Sequence, residues 1–349
     1  MRNLSAADAI SPAIQRTREF LFSPFRWGTY LKLSLVAIVT EGLGSNLRSS
    51  SHGGQPSGHG PMITSPLSLH PEWIAAIIAA VLVSMVFFAV VFYVVTRLRF
   101  AYFHCLVTKS RDIGPGWRFY GPQAMRFFWL NVVVGLSFLF LAMVAAYPFV
   151  TGIVRLFHET PPGGHPDIGS MLILVLPIIP VVLLLVLLGV LADLVLRDCM
   201  LPHFALEDAT AGEAWAQVWA RILAEKRQFL AYALLRVVLP TIGMVALFIV
   251  LIIPGLVLVG SLGAIGYGIH AGFADATGGA AVAGFAIQAL FGVIAFVLAV
   301  LASICVGGPL STAVREFALV FYGGRYQLLG DLLYPPLPPT AIPGMPQIV

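Results

Sequence analysis

The sequence predicts an all-α integral membrane protein with six transmembrane helices, arranged as three hairpins with cytoplasmic amphipathic helices. Hydrophobic residues make up 59% of the chain and charged residues only 10%, far below the roughly 25% charged residues of a soluble globular protein. Six apolar stretches can cross a hydrocarbon core of about 30 Å, which takes about 20 residues. The period-2 alternation of a membrane β-barrel does not occur, which favours helices. The predicted spans cover residues 27–46, 73–96, 127–154, 171–196, 229–262 and 281–306.

Lys and Arg residues are distributed unequally over the connections between these spans. If each stretch crosses once, eighteen of the twenty lie on one side, and only Arg48 and Arg155 lie on the other. Because cytoplasmic loops carry the excess of Lys and Arg, both termini are predicted to be cytoplasmic. The net charge of +4 is therefore attributed to this bias and to attraction by anionic lipids, not to nucleic-acid binding.

The segments outside the spans complete the predicted organisation. Residues 1–26 form a cytoplasmic N-terminal segment in which Ile10, Ile14, Phe20 and Leu21 recur at near-helical spacing, as in an interfacial amphipathic helix. Residues 27–306 form the six-span membrane domain. Residues 307–349 form a cytoplasmic juxtamembrane helix and a Pro-rich tail.

The six tryptophans agree with this arrangement, because indoles favour the headgroup layer of a membrane. Three of them open predicted spans and three lie in the inner connections. Those that open spans are Trp27, Trp73 and Trp129, and those in the inner connections are Trp117, Trp215 and Trp219.

An internal repeat is the main organisational signal. Two segments align without a gap at a shift of 98 residues, and each leaves an even-numbered span, passes through a short helix and returns into the next span. A third partial copy begins at Arg315 and Glu316. We therefore predict three helical hairpins, each preceded by an amphipathic cytoplasmic helix; a shared membrane-interface composition is the alternative explanation. The aligned pairs are Arg99 with Arg197, Gly114 with Gly212, and Trp117 with Trp215.

Three segments of the chain resemble a broad set of bacterial six-span proteins of unknown function. They are residues 16–33 (RTREFLFSPFRWGTYLKL), the segment Glu213, Ala214, Trp215, and the return into the fifth span. These proteins resemble in layout the membrane domain attached to some glycerophosphoryl diester phosphodiesterases. The resemblance covers most of the chain but includes no catalytic motif, because the soluble phosphodiesterase domain has no counterpart. It implies a membrane component, and together with the charge distribution it predicts a multi-pass protein of the bacterial inner (cytoplasmic) membrane.

Charged residues within the apolar stretches are the default candidates for an intramembrane site. Glu41 lies about 15 residues, or roughly 22 Å of helix rise, beyond Arg26, past the middle of the first span unless that span ends early and leaves Glu41 at the interface. Asp193 precedes Arg197 by four residues and can pair with it on one helix face. Arg236 either extends towards the inner headgroups or is buried against Asp193. The candidate polar residues are Glu41, Asp193 and Arg236.

The connection after the fifth predicted span contains Gly266, Tyr267 and Gly268, which look like the filter of potassium channels. Such filters present backbone carbonyls to the ion and need glycines at alternating positions. Ala264 replaces the filter threonine, so a Gly-rich turn is the simpler interpretation. In that interpretation Gly255, Gly260 and Gly263 allow close helix packing.

No cofactor, metal site or catalytic residue is predicted. The three cysteines form no CxxC motif. Six histidines fall in the predicted outer loops, where they could bind metal or sense pH, but their spacing contains no pair at i and i+4. These histidines are His52, His59, His70, His158, His165 and His270.

Three function classes therefore remain open. The first is a non-enzymatic membrane partner or scaffold subunit, which binds other membrane or cytoplasmic proteins. The second is a transporter or channel for a small solute or ion, using Glu41 or the turn at Gly266 to Gly268. The third is an intramembrane enzyme, which would need polar side chains clustered at one depth.

Overall fold

The structure is a computed structural model that describes residues 4–49, 71–159, 168–274 and 277–334. Within those ranges every regular element is helical, which confirms the predicted all-α class. A π-helical turn, Val195–Met200, joins α7 to α8. The helices are α1 (Ile10–Phe22), α2 (Trp27–Ser49), α3 (Pro71–Thr108), α4 (Ile113–Phe119), α5 (Gly121–Glu159), α6 (Ile168–Val175), α7 (Ile178–Leu194), α8 (Leu201–Leu206), α9 (Ala211–Ala224), α10 (Lys226–Gly272), α11 (Gly279–Gly323) and α12 (Gln327–Leu333).

Five helical segments within the described ranges are long and apolar enough to cross a membrane. The first predicted span coincides with α2, which is not among the five. Lys32 and Glu41 lower the apolar character of that helix. The five segments are Ala75–Thr108, Gly121–Leu156, Leu172–Leu206, Lys226–Gly272 and Gly279–Gly323.

The last two long helices extend well beyond the predicted fifth and sixth spans. At a rise of 1.5 Å per residue, the 47 residues of α10 measure about 70 Å, more than twice a hydrocarbon core of about 30 Å. The 45 residues of α11 give nearly the same length. Large parts of both helices must therefore lie outside the hydrocarbon core.

The chain divides into two compact units. The first comprises Met1–Ala76, Tyr102–Ile113 and Arg227–Val349, and the second comprises Ile77–Ala101 and Gly114–Lys226. In the first unit α11 packs against α1, α2 and α12, and in the second α5 packs against α6, α7 and α8.

The core of the first unit lies along the C-terminal part of α11, where residues 314–323 are all buried. The Tyr232 ring of α10 stacks on Phe321 with ring centroids 4.2 Å apart, and Phe229 meets Phe321 edge to face. α1 buries one helical face against this core, including Ala13, Arg16 and Phe20.

The core of the second unit is a chain of aromatic contacts. Phe127 lies at its centre and meets both Phe100 and Phe204 edge to face, at centroid distances of 5.5 Å and 5.4 Å. This is one of the arrangements that aromatic pairs prefer. The three rings are almost completely buried.

The apolar middles of the membrane segments are hardly buried at all. In four of the five segments none of the most apolar 18 residues is buried, and in Gly121–Leu156 the buried share is 11%. The packed cores thus lie near one end of each segment, while the rest of each segment is free to contact lipid or other helices.

Candidate functional site

Arg16 of α1 is the centre of a buried polar network in the first unit. Its Nε donates to the Glu316 carboxylate of α11 at 2.9 Å, and both side chains are buried. Its Nη1 donates to the Leu333 carbonyl at 3.0 Å and its Nη2 to the Leu106 carbonyl at 3.3 Å. Because a guanidinium has five donors in a fixed geometry, one side chain joins α1 to α11, to the end of α3 and to the end of α12.

No strong signal in the sequence indicated this network. Arg16 contributed to the prediction as an inner-side positive charge and as the first residue of segment 16–33, and Glu316 contributed as part of the third repeat copy. One weak signal was available, because Arg16 falls on the same helical face as Ala9, Ala13 and Phe20. A charge on an apolar helix face is expected to have a partner when it is buried.

A second polar junction joins α2 to α11 and compensates for Pro309. Proline has no N–H to donate to the carbonyl four residues earlier, which here belongs to Cys305. The Tyr30 hydroxyl of α2 donates to that carbonyl at 2.7 Å. Neighbouring side chains often satisfy the carbonyls released by proline in membrane helices, and Tyr30 does so here.

The same junction brings the two helix backbones very close together. A Cβ added to Gly308 would lie 2.2 Å from the Ser34 Cβ and 2.8 Å from the Ser34 Cα. One turn further along α11, the Thr312 hydroxyl donates to the Gly308 carbonyl at 2.9 Å and lies 2.8 Å from the Tyr102 hydroxyl.

Of the three candidate polar residues, two form an ion pair with each other. Arg236 Nη2 of α10 lies 2.8 Å from Glu41 Oε2 of α2, and both side chains are nearly buried. The two interpretations offered for Arg236, extension towards the headgroups and burial against Asp193, both missed this partner. The separation of 195 residues explains why the sequence did not reveal it.

Asp193, the third candidate, forms the expected pair on its own helix. Arg197 Nη1 lies 3.1 Å from Asp193 Oδ2, and this i, i+4 contact confirms the predicted pairing. It spans the junction between α7 and the π-helical turn, where Arg197 and Asp198 are both buried. The contact lies within the second unit and ties the turn to the end of α7.

The filter-like interpretation of Gly266, Tyr267 and Gly268 is wrong. These residues lie inside the continuous helix α10, where backbone carbonyls point along the helix and accept bonds from the following turn. The alternative, a Gly-rich turn, is wrong for the same reason. The expected close packing at Gly255, Gly260 and Gly263 is not seen among the described residues, because none of their atoms outside α10 lies within 4 Å of a Cβ added at these positions.

Of the six histidines predicted to lie in outer loops, two fall within the described residues. His270 lies in the last turn of α10, with its Nδ1 3.1 Å from Gln288 Nε2, and His158 lies near the end of α5. Across the described ranges, no three His, Cys, Asp or Glu side chains form a group suited to a metal ion. His52, His59, His70 and His165 lie outside the described residues.

A cavity of about 440 Å³ lies beside the Arg16 network in the first unit. Gly323, Gly324 and Gly330 line it, and Tyr334 contributes a ring that lies 5.9 Å from the Arg16 guanidinium. Burial raises the pKa of Tyr334. The remaining lining residues are Leu4, Pro12, Val320, Gln327 and Asp331.

Five helical segments in the described ranges that are long and apolar enough to cross a bilayer indicate a membrane protein. More specifically, the chain belongs to a family of unknown function, DUF7544, which matches residues 4–332. No curated protein and no solved structure is significantly similar to it. The predicted resemblance to the membrane domain of glycerophosphoryl diester phosphodiesterases gains no support from these comparisons.

Proposed function

We propose that the protein is a non-enzymatic membrane scaffold subunit that binds other membrane proteins through its apolar helices. The observation that carries this proposal is the contrast between well-packed segment ends and unburied segment middles. A transporter that works as a single chain packs its spans around a substrate path, whereas a scaffold leaves helix surface for its partners.

One surface of α10 is well suited to such a partner. Small residues recur every four positions at Gly260, Ala264, Gly268 and Gly272, and all four are exposed. In the part of the chain that the structure describes, added Cβ atoms at the three glycines would have no neighbour within 4 Å. Since helices associate in lipid through close approach at small residues, this face offers a second membrane helix the same kind of contact that Gly308 gives to α2.

The proposal is tested in native-lipid nanoparticles with a photo-crosslinking amino acid at Ala264. We expect a protein adduct of defined mass, which identifies another membrane protein or a second copy, and we expect Gly260→Leu with Gly268→Leu to abolish it. A probe at Phe317, which is fully buried, is the matched negative position. Two further probes are placed at Phe248 and Phe296, which lie on exposed helix surface. The scaffold function would be contradicted if each particle held a single copy of the protein and all three exposed probes formed adducts with lipid only.

A second candidate function, transport of an ion or small solute, is favoured by the pair of Glu41 and Arg236. Ionisable pairs inside membranes commonly mark ion or proton pathways, and this pair joins two long helices. In proteoliposomes carrying a pH-sensitive dye, Glu41→Gln would then abolish proton flux, whereas Glu19→Gln, at an exposed residue, would leave it unchanged. This function would be excluded if empty liposomes showed the same proton flux as liposomes that contain the protein.

We also propose that the protein lies in the bacterial inner membrane with six spans and with both termini in the cytoplasm. The charge distribution over the connections supports this orientation, with α2 as the sixth span. The buried layer of the first unit would then lie at the cytoplasmic face, where anionic lipids attract the many basic residues.

The threefold repeat is likewise a proposal, and two structural features support it. α4 begins at Ile113 and α9 at Ala211, which are related by the same shift of 98 that aligns the two sequences. Arg99, Arg197 and Arg315, which head the three copies, are all buried. In each copy the arginine is followed by a buried run and then by a short helix.

A further inference from the structure

Helix α9 is tied at both ends to a segment that is long and apolar enough to cross a membrane. The apolar segment Leu172–Leu206 ends only four residues before α9 begins, and only Glu225 separates α9 from the long apolar helix α10. Four extended residues reach at most about 14 Å. When both neighbours cross the membrane, the 14-residue helix α9 lies on the side where they emerge and stays tied to both by short connections.

The rotation of α9 about its axis is fixed by contacts within the second unit. A reciprocal capping box joins Thr210 and Glu213, and these hydrogen bonds lower the pKa of Glu213. Ala214 and Val218 are buried in the unit. Gln217 Nε2 donates to Glu207 at 3.1 Å, and Arg221 Nη1 lies 3.2 Å from the His203 ring nitrogen Nε2.

With the rotation fixed, α9 presents an apolar stripe outward. Successive residues turn by 100° in an α-helix, so Trp215, Trp219 and Leu223 share one face, while Gln217 and Arg221 lie on the roughly opposite one. The two indoles stack with their centroids 5.7 Å apart. About half of each indole is exposed, as is about half of Leu223, a large apolar surface for one side of so short a helix.

We propose that this stripe of Trp215, Trp219 and Leu223 is a membrane anchor that inserts into the headgroup layer of the bilayer. Indoles favour this layer because they combine an apolar ring with one N–H donor. Within α9 itself the charges balance, since Glu213 and Arg221 are its only charged residues. The anchor therefore acts through its rings and apolar area, and it differs from the basic connections in needing no anionic lipid.

Two neighbouring spin-label positions on the full-length protein test the anchor. In a background with all three cysteines replaced by alanine, Leu223→Cys places a label on the stripe, and Ala224→Cys places one 100° away at another exposed position. In nanodiscs of purely zwitterionic lipid, we expect the Leu223 label to be more accessible to oxygen and the Ala224 label to a water-soluble nickel chelate. Nanodiscs that also contain phosphatidylglycerol should give the same pattern.

A second set of variants tests the indoles themselves. Trp215→Ser with Trp219→Ser should shift the Leu223 label towards the aqueous probe, whereas Ala220→Ser, at an exposed residue of the same helix, should not. Equal access of the nickel chelate to both labels in the parent protein would overturn the anchor. If the Leu223 label were protected from the nickel chelate only in anionic lipid, the assignment of the anchor to the rings would be overturned. Both of these outcomes are measured on the parent protein, so they can be read even if the double variant fails to fold.

Discussion

Arg16 and Glu316 show how much one buried pair can contribute at the scale of single residues. Removing one member of a buried ion pair leaves an uncompensated charge and typically costs about 3–5 kcal/mol. Arg16 also donates to two main-chain carbonyls, whereas Glu316 is needed only for the pair. The two residues should therefore differ in what their loss costs.

We predict that Arg16→Met destabilises the protein more than Glu316→Gln. The methionine variant leaves a buried carboxylate and two carbonyls without their donor, whereas the glutamine variant leaves a side-chain oxygen that can still accept from Arg16. The measurement is the free energy of unfolding in detergent micelles. Equal losses in the two variants would show that the carbonyl contacts contribute nothing.

A second prediction concerns the Tyr30 hydroxyl and the carbonyl of Cys305. Tyr30→Phe leaves that carbonyl without a donor and should cost about 1–3 kcal/mol. Pro309→Ala restores a backbone N–H that can donate to the same carbonyl, so the cost of Tyr30→Phe should shrink in the double variant. A double-mutant cycle of unfolding free energies measures this coupling, and strictly additive effects would contradict it.

Contacts between individual residues were the features that could be predicted least well from the sequence. It singled out Glu41 and Arg236 because charges are rare in apolar stretches, but no local pattern says which charge meets which across 195 residues. The pair of Asp193 and Arg197 was predictable because helix geometry alone brings i and i+4 together. Arg16 was missed since its burial depends on the helices that cover it.

At the scale of elements, the crossing of α2 and α11 depends on the missing side chain of Gly308. We predict that Gly308→Ala destabilises the protein by about 1–3 kcal/mol, because the added methyl group overlaps the Ser34 backbone and overpacks the contact. Gly292→Ala on the same helix is the matched control, since no described atom lies within 4 Å of an added Cβ there and Ala has the higher helix propensity, so this variant should be neutral or slightly stabilising. Thermal unfolding in detergent compares the two, and a loss of the same size at Gly292 would contradict the role of the close contact.

Element types were predictable, but element ends were not. Continuous apolar composition indicated helices throughout, whereas the last two spans were ended too early at Gly-rich or polar positions. Glycine inside a helix costs only about 1 kcal/mol relative to alanine, so a Gly-rich position does not by itself end a helix that the surrounding residues favour. The filter-like sequence at Gly266 to Gly268 was misread for this reason.

At the scale of the whole molecule, the proposed topology makes a direct prediction. A green fluorescent protein fused after Val349 should fluoresce, and alkaline phosphatase fused at the same point should be inactive, because the proposed topology places the C-terminus in the cytoplasm. The reverse result is expected for fusions between the first two predicted spans. An active phosphatase at the C-terminus would contradict the orientation derived from the charge distribution.

The length of α11 has a mechanical consequence. This helix meets α2 at Gly308, α1 at Glu316 and α12 at Gly323, and at 1.5 Å per residue Gly323 lies about 22 Å beyond Gly308. Membrane helices tilt when the hydrocarbon thickness changes. A tilt of roughly 5° about the crossing with α2 would move the end of α11 by about 2 Å. A change in lipid chain length would therefore displace Glu316, the partner of Arg16 in the ion pair.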